Sequence, residues 1–243
     1  MAGINAVVFD VFETLVPNSV ERWQETFGDI VRTQGLAIRP SELYRLWKDL
    51  ENKFREERIN LKEPEKSPPF KSYEHAWRDC FAPIFTARGF SKADPAAAAN
   101  FCVRDMASRR PFPDALDTIK KVQDHYKVAI ISNADNAYLN PIADRLKAAG
   151  VKLVGAVSSE KVKAYKPLPG AFTKALDEMG LKANESVYVG DMQWEDVTGG
   201  HRAGMKTVWL NKTDAAARSD LPKPDHEITA IADLLKVLDG VKA

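Results

Sequence analysis

Side chains that could do chemistry follow short apolar runs at four places in this chain. In chain order they are Asp10, Thr14, Ser132, Asn133, Asp135, Lys166, Asp191, Glu195 and Asp196. A carboxylate can act as a nucleophile or bind a metal, and Mg²⁺ is usually held by one or two carboxylates together with substrate oxygens. Asp10 and Asp191 could supply such a pair. Two carboxylates held close together repel each other unless a cation or a proton lies between them.

A lysine and a hydroxyl group add a means of holding an anionic substrate. Lys166 would offset part of the carboxylate charge, and Ser132 with nearby backbone N–H groups could bind phosphate or carboxylate oxygens. Taken singly, each residue also has a structural interpretation: Ser132 and Asn133 could cap a helix, and Gly190-Asp191 is a common turn. Their order, each just past an apolar run, favours a site.

The apolar runs predict the elements that position these side chains. They are continuous and rich in Val and Ile, which suits strands buried on both faces of a parallel sheet. The runs cover residues 4–10, 128–133, 153–157, 187–189 and 207–210, and helix-length segments lie between them at 113–125, 137–149, 169–180 and 195–203. This alternation predicts an α/β fold with a doubly wound parallel sheet. Ligands of such sheets bind beyond the carboxyl ends of the strands, where the candidate residues lie.

Residues 17–110 contain no comparable strand and show helical periodicity instead, at 20–34, 41–58, 72–87 and 94–108. We therefore predict an all-helical domain at 17–110, inserted after the first strand of a core formed by 1–16 and 111–243. Trp47 and Trp77 are expected to pack the interior of this helical domain.

Composition excludes several classes of protein. The chain has 243 residues, and 35 Lys and Arg against 34 Asp and Glu leave a net charge of +1. That balance argues against a nucleic-acid or membrane-surface partner, both of which need a basic surface. Cys80 and Cys102 are too few for a disulfide framework or a zinc site. No apolar run approaches a membrane span, and the first residues do not read as a secretory signal. We expect a cytoplasmic protein that binds a small anionic substrate.

Four motifs in this order resemble the haloacid dehalogenase superfamily of hydrolases. The matching segments are Val8–Leu15 (VFDVFETL), Ile131–Asp135 (ISNAD), Lys166-Pro167, and Val189–Asp191 (VGD) with Asp196. The resemblance covers the predicted core and implies a Rossmann-like sheet carrying a helical cap domain at 17–110.

The resemblance also implies roles for single residues. Asp10 would be the nucleophile that forms a covalent aspartyl intermediate, and Thr14 would help to position the substrate. Ser132, Asn133 and Lys166 would bind the substrate, with Lys166 also steadying the charge.

The same resemblance implies an Mg²⁺ cofactor. Its ligands would be the carboxylates of Asp10 and Asp191 and the backbone oxygen of Phe12, and Asp196 would support the metal through water.

Phe12 departs from the pattern of the superfamily's phosphatases, which carry a second aspartate at this position as a general acid and base. A phenyl ring transfers no protons, so help worth about 10²–10⁴-fold must come from elsewhere or be unnecessary. Three hypotheses follow. The first is an Mg²⁺-dependent phosphohydrolase acting on a small phosphorylated metabolite with a good leaving group, which the intact Asp191 and Asp196 favour. The second is a metal-independent 2-haloacid dehalogenase, because halide leaves without a proton and those enzymes have an aromatic residue here. The third is a catalytically silent module that binds a metabolite.

Overall fold

The computed structural model of the chain describes residues 3–241, with side chains described up to residue 240. Within it the chain divides into two compact units. One contains residues 18–109, and the other contains the described residues before 18 and after 109. The joins thus lie one residue from the boundaries predicted from the sequence.

The larger unit is built on a six-stranded parallel sheet with the strand order β3-β2-β1-β4-β5-β6. The strands are β1 (Ala6–Phe9), β2 (Lys127–Ser132), β3 (Leu153–Ser158), β4 (Ser186–Gly190), β5 (Lys206–Leu210) and β6 (His226–Ile228). All residues of β1 and β4 are buried. This matches their continuous apolar sequence, because helices cover both faces of such a sheet. The predicted α/β class is confirmed.

Helices alternate with the strands as predicted. In the described residues they are α1 (Val20–Gln34), α2 (Pro40–Glu57), α3 (Tyr73–Ala87), α4 (Pro95–Ser108), α5 (Pro113–Val122), α6 (Asn136–Ala148), α7 (Ser159–Val162), α8 (Pro169–Met179), α9 (Thr198–Arg202) and α10 (Leu234–Val241). A π-helical turn, Gln193–Val197, precedes α9. The sequence predicts a single helix over 195–203 and no strand at 226–228. The structure instead has a π-helical turn before α9 and the short strand β6. Strand β6 has three residues, of which two are exposed, and it carries no apolar run.

The order of the central strands positions the candidate residues. Strand β1 lies between β2 and β4, and Phe9 is level with Ile130 on one side and with Val189 on the other. The backbone N–H of Asp10 continues this ladder by donating to the Val189 carbonyl at 2.8 Å. The carboxyl ends of β2, β1 and β4 therefore present Ser132, Asp10 and the segment after Gly190 side by side.

The smaller unit consists of α1–α4 around a core of aromatic rings. Trp47 and Trp77 are almost fully buried with their ring centroids 6.1 Å apart, so the prediction for them is confirmed. Trp23 packs on Trp47 at 5.1 Å. Rings in tilted and edge-to-face pairs add about 0.5–1.5 kcal/mol each beyond the area that they bury.

The two ends of the smaller unit are joined by a buried arginine. The guanidinium of Arg109 donates twice to Asp105, at 3.1 and 3.2 Å, and also to the side chain of Asn18. It lies 5.0 Å over the ring of Trp23, whose indole N–H donates to the same Asn18 oxygen at 2.9 Å. Residues 18 and 109 thus share one hydrogen-bonded cluster.

None of the helices within the described residues is both long and apolar enough to cross a lipid bilayer.

Candidate active site

Asp10 lies directly after β1, and 5% of its surface is exposed. One carboxylate oxygen, Oδ1, accepts hydrogen bonds from Ser132 Oγ at 3.0 Å and from Lys166 Nζ at 2.6 Å. Among the described residues, the second oxygen accepts no hydrogen bond. The carboxylate is therefore held by one oxygen while the other is available to a ligand or a reacting atom.

Lys166 connects this carboxylate to a second one. Its ammonium group donates to Asp10 and to Asp196 Oδ1, both at 2.6 Å, and to the hydroxyl of Tyr188 at 2.9 Å. Burial by itself would lower the pKa of Lys166, but Asp10 and Asp196 raise it well above the ordinary value, so the group is a cation. The Tyr188 hydroxyl in turn donates to the Ile131 carbonyl at 2.7 Å.

Three carboxylates meet beside this lysine. Asp10, Asp191 and Asp196 each offer one oxygen, and these oxygens lie within 4.8 Å of one another. Burial raises the pKa of Asp191 well above its ordinary value, and the nearby Asp196 and Asp10 raise it further. Burial also raises the pKa of Asp196 to about 7, although Lys166 opposes the shift. One ammonium group therefore does not balance the negative charge that this cluster can carry.

The cluster suits a divalent cation. Mg²⁺ binds oxygen ligands, and three carboxylate oxygens beside a single lysine supply both the donors and the excess charge. Asp191 is the residue freest to take part: its Oδ1 accepts one long hydrogen bond, from Thr14 Oγ1 at 3.4 Å. Asp191 and Asp10 are the residues that would hold the ion, and the residues present fit it.

The turn after Asp10 returns Thr14 to the site. Leu15 and Val16 both donate their N–H groups to the Val11 carbonyl, at 2.7 and 2.9 Å, which closes the turn. Glu13 has a φ of +62°, a conformation that costs most residues other than glycine about 1 kcal/mol or more. Thr14 is fully buried as a result.

Phe12 is half-buried, and its ring meets the edge of Tyr138 with centroids 5.7 Å apart. The position two residues after Asp10 therefore holds packed apolar surface in place of a proton carrier. That its backbone oxygen binds a metal stays a prediction.

Gly190 allows Asp196 to reach the cluster. A Cβ at Gly190 would lie 2.3 Å from both Cγ and Oδ2 of Asp196, so a larger residue would displace that carboxylate. The same oxygen, Oδ2, accepts a hydrogen bond from the Met192 N–H at 2.9 Å, while Oδ1 accepts from Lys166. The π-helical turn contributes as well, since the Val197 N–H donates five residues back, to the Met192 carbonyl.

Asn133 has its side chain engaged within the site's own framework. Its Oδ1 accepts from the Lys166 N–H at 2.8 Å, and its Nδ2 donates to the Lys166 carbonyl at 3.1 Å and to Glu195 Oε2 at 2.9 Å. A direct contact from Asn133 to a substrate stays a prediction.

The structure thus brings together Asp10, Thr14, Ser132, Asn133, Lys166, Asp191 and Asp196, all predicted from the sequence. Two further residues that contact Lys166 or Asn133 were not predicted as site residues, Tyr188 and Glu195. Tyr188 lies within a buried strand and reads as core. Glu195 stands beside Asp196 in the sequence, which places it among the candidate side chains but assigns it no role.

Comparisons with known proteins find a matching family and several relatives. A family model described as haloacid dehalogenase-like hydrolase matches residues 4–204. The chain is 27% identical to the glyceraldehyde 3-phosphate phosphatase of Methanopyrus kandleri over 97% of both chains. It is 29% identical to (S)-2-haloacid dehalogenase 4A of Burkholderia cepacia over 52% of this chain and 54% of that protein.

Solved structures show the same fold. The magnesium-bound HAD-hydrolase YfnB from Bacillus subtilis superimposes with a TM-score of 0.75 at 18% identity, covering 98% of this chain and 99% of that one. The L-2-haloacid dehalogenase from Xanthobacter autotrophicus with covalently bound chloropropionic acid gives 0.74 at 18% identity, with the same coverage. Since the family model matches most of its length, the chain belongs to the haloacid dehalogenase-like hydrolases.

Proposed function

We propose that this hydrolase is an Mg²⁺-dependent phosphohydrolase that uses Asp10 as its nucleophile. Its substrate would be a small phosphorylated metabolite with a good leaving group, and neither a nucleic acid nor a membrane would be its partner. The observation that carries the proposal is Asp191, a half-buried carboxylate whose oxygen lies within 4.8 Å of those of Asp10 and Asp196. A site without a cation would hold three acids against one lysine at a large electrostatic cost.

The reaction follows from the hydrogen bonds of Asp10. Lys166 and Ser132 hold Oδ1, so Oδ2 attacks phosphorus. The bond from phosphorus to the leaving oxygen breaks, the leaving group departs with its electron pair, and an aspartyl phosphate forms. Water then attacks phosphorus and the bond from phosphorus to Asp10 Oδ2 breaks, so the electron pair returns to the carboxylate and phosphate departs, the proton of the water passing to phosphate or to solvent.

The other groups of the site would offset charge or orient the carboxylates during the reaction. Mg²⁺, when bound, would neutralise the charge that develops on the transferring phosphoryl group. Lys166 would counter the charge on the phosphoryl oxygens as a nearby cation, and Ser132, whose hydroxyl donates to Asp10, would act by holding the nucleophile in place. Thr14 donates to Asp191 and so orients that carboxylate towards the cluster.

Phe12 sets the limit on the leaving group. Because its ring carries no proton, an alkoxide would have to leave without general acid catalysis, whereas an acyl phosphate or an aryl phosphate expels a stable anion. The phosphatase relative in Methanopyrus kandleri, which matches over nearly the whole chain, supports phosphate chemistry but not this limit, because glyceraldehyde 3-phosphate is an alkyl phosphate.

A second candidate function is carbon–halogen hydrolysis, which Phe12 itself favours. Asp10 would attack the carbon, the carbon–halogen bond would break to release halide, and water would hydrolyse the resulting ester. Halide leaves without needing a proton. One of the relatives, which matches about half of this chain, is a 2-haloacid dehalogenase.

One pair of assays separates these functions. Turnover of p-nitrophenyl phosphate that Mg²⁺ supports and EDTA abolishes would favour the phosphohydrolase. Metal-independent halide release from 2-chloropropionate would favour the dehalogenase, and tight metabolite binding with neither activity would indicate a silent module.

Two substitutions complete the test. We expect Asp10→Asn to abolish turnover in a folded protein and Asp191→Asn to weaken activation by Mg²⁺. Full activity of Asp10→Asn would refute the role of Asp10 as nucleophile. An unchanged metal-free rate in Asp191→Asn would favour the dehalogenase.

A further inference from the structure

We propose that Glu195 is a positioning residue that acts through the amide of Asn133 on Lys166, the cation shared by Asp10 and Asp196. The role assigned to Lys166 rests on the proposed function. Glu195 itself need not touch the substrate. The structure shows it buried, with 9% of its surface exposed, in the π-helical turn beside the acidic cluster.

The first step is the orientation of the Asn133 amide. The Lys166 N–H is a donor, so Asn133 must turn its oxygen towards it, and the two atoms are 2.8 Å apart. The amide nitrogen then has two hydrogens to place. One goes to the Lys166 carbonyl at 3.1 Å and the other to Glu195 Oε2 at 2.9 Å.

The second step is what this orientation does for Lys166. Asn133 holds both backbone polar groups of Lys166 and thereby fixes where its side chain begins. The ammonium group at the other end makes two 2.6 Å contacts in a buried site. A shift of the backbone would lengthen both contacts, and a displacement of about 1 Å can cost catalysis up to about 10²-fold.

The third step is why a carboxylate serves here. The Glu195 oxygen Oε2 accepts the second hydrogen of the Asn133 amide at 2.9 Å, and a group that only donates could not hold the amide in this orientation. In an ordinary helix consecutive side chains point about 100° apart. In this turn Glu195 and Asp196 are both buried, and both act on Lys166: Asp196 at its ammonium group and Glu195, through Asn133, at its backbone.

The test compares Glu195→Ala and Glu195→Gln with Mg²⁺ and p-nitrophenyl phosphate. We expect the alanine variant to lose about tenfold in kcat with KM changed less than about twofold, because substrate contacts remain while the lysine is misplaced. The glutamine variant should regain most of kcat, since its amide oxygen can accept the same Asn133 hydrogen.

A double-mutant cycle tests the route through Asn133. If Glu195 acts by that route, Glu195→Ala should cost nothing further in an Asn133→Ala background. Additive losses, or a glutamine variant as impaired as the alanine variant, would overturn the proposal. So would wild-type kcat in Glu195→Ala.

The matched control is Glu51→Gln in the smaller unit. Glu51 is more deeply buried than Glu195, at 1% exposed against 9%, and it is ion-paired to Lys48 at 2.7 Å and to Arg55, so this variant loses stability while every site residue is kept. Its kcat should equal that of the wild type at a temperature where both are folded.

Crystal structures of the variants give a readout that needs no activity. We expect the distance from Lys166 Nζ to Asp10 Oδ1 to lengthen in Glu195→Ala and to stay near 2.6 Å in Glu195→Gln. An unmoved lysine in the alanine variant would refute the positioning role whether or not the protein hydrolyses phosphate. A moved lysine in a protein without phosphatase activity would support the positioning role and refute only the proposed function.

Discussion

Lys166→Met would replace the ammonium group that Asp10 and Asp196 share with an apolar chain of similar length. Both carboxylates are buried, and each lies 2.6 Å from the lysine nitrogen. Removing one partner of a buried ion pair costs about 3–5 kcal/mol, because the other charge is left uncompensated. Two carboxylates depend on Lys166, so we expect a loss at the upper end of this range near pH 8 in the absence of metal.

The loss should depend on pH in a defined direction. Burial already raises the pKa of Asp196 to about 7, and the absence of Lys166 would raise it further. A carboxyl group whose pKa is higher in the folded state stabilises that state when protonated, below its folded pKa, and the benefit disappears as the pH rises. The deficit of the variant should therefore shrink on acidification, by at most about 1.4 kcal/mol per pH unit for each proton that it binds beyond the wild type.

Urea denaturation in EDTA, followed by circular dichroism at about pH 6 and about pH 8, measures both quantities. The control is Lys161→Met, because Lys161 pairs with Glu178 on the surface and should contribute less than about 1 kcal/mol at either pH. A deficit for Lys166→Met below about 1 kcal/mol, or one that grows as the pH falls, would refute the reasoning.

Three further predictions concern other parts of the chain. Phe12→Asp should raise turnover of an alkyl phosphate by up to about 10²-fold with little effect on p-nitrophenyl phosphate, and equal effects on both in steady-state assays would contradict the leaving-group argument. Gly190→Ala should lower stability by about 1–3 kcal/mol, because its Cβ would lie 2.3 Å from Asp196, and an unchanged urea midpoint would show that the carboxylate can move freely. Arg109→Ala should lower the free energy of unfolding by about 3 kcal/mol, because it removes the buried ion-pair partner of Asp105. A melting temperature equal to that of the wild type would show that the cluster does not stabilise the protein.

Much of the fold could be predicted from local pattern. Helix α1 spans Val20–Gln34, the segment that periodicity indicates, because its serine cap and the glycine after it are written into the sequence. Strands β1 and β4 are continuous apolar runs, and such runs can be recognised in the sequence without knowing which strands pair with them. The rule that ligands bind at the carboxyl ends of parallel strands then places Asp10, Ser132 and Asp191 at one edge.

The contacts of Tyr188 and Glu195 could not be predicted in this way. Tyr188 is fully buried in β4, and the sequence shows a core aromatic residue without showing that its hydroxyl reaches Lys166. Glu195 lies one residue from Asp196, and helical spacing would turn it towards another face. The π-helical turn alters that spacing, and its hydrogen bonds leave no mark in the sequence.

The sequence by itself determined most of the segments that form strands and helices and which residue types stand at the strand ends. These properties depend on interactions between residues a few positions apart. Tertiary structure alone decided that Lys166 bridges Asp10 and Asp196 and that Asn133 bridges Lys166 and Glu195. Such distances depend on the order of the strands and on the packing of segments far apart in the chain, for which local periodicity carries no information.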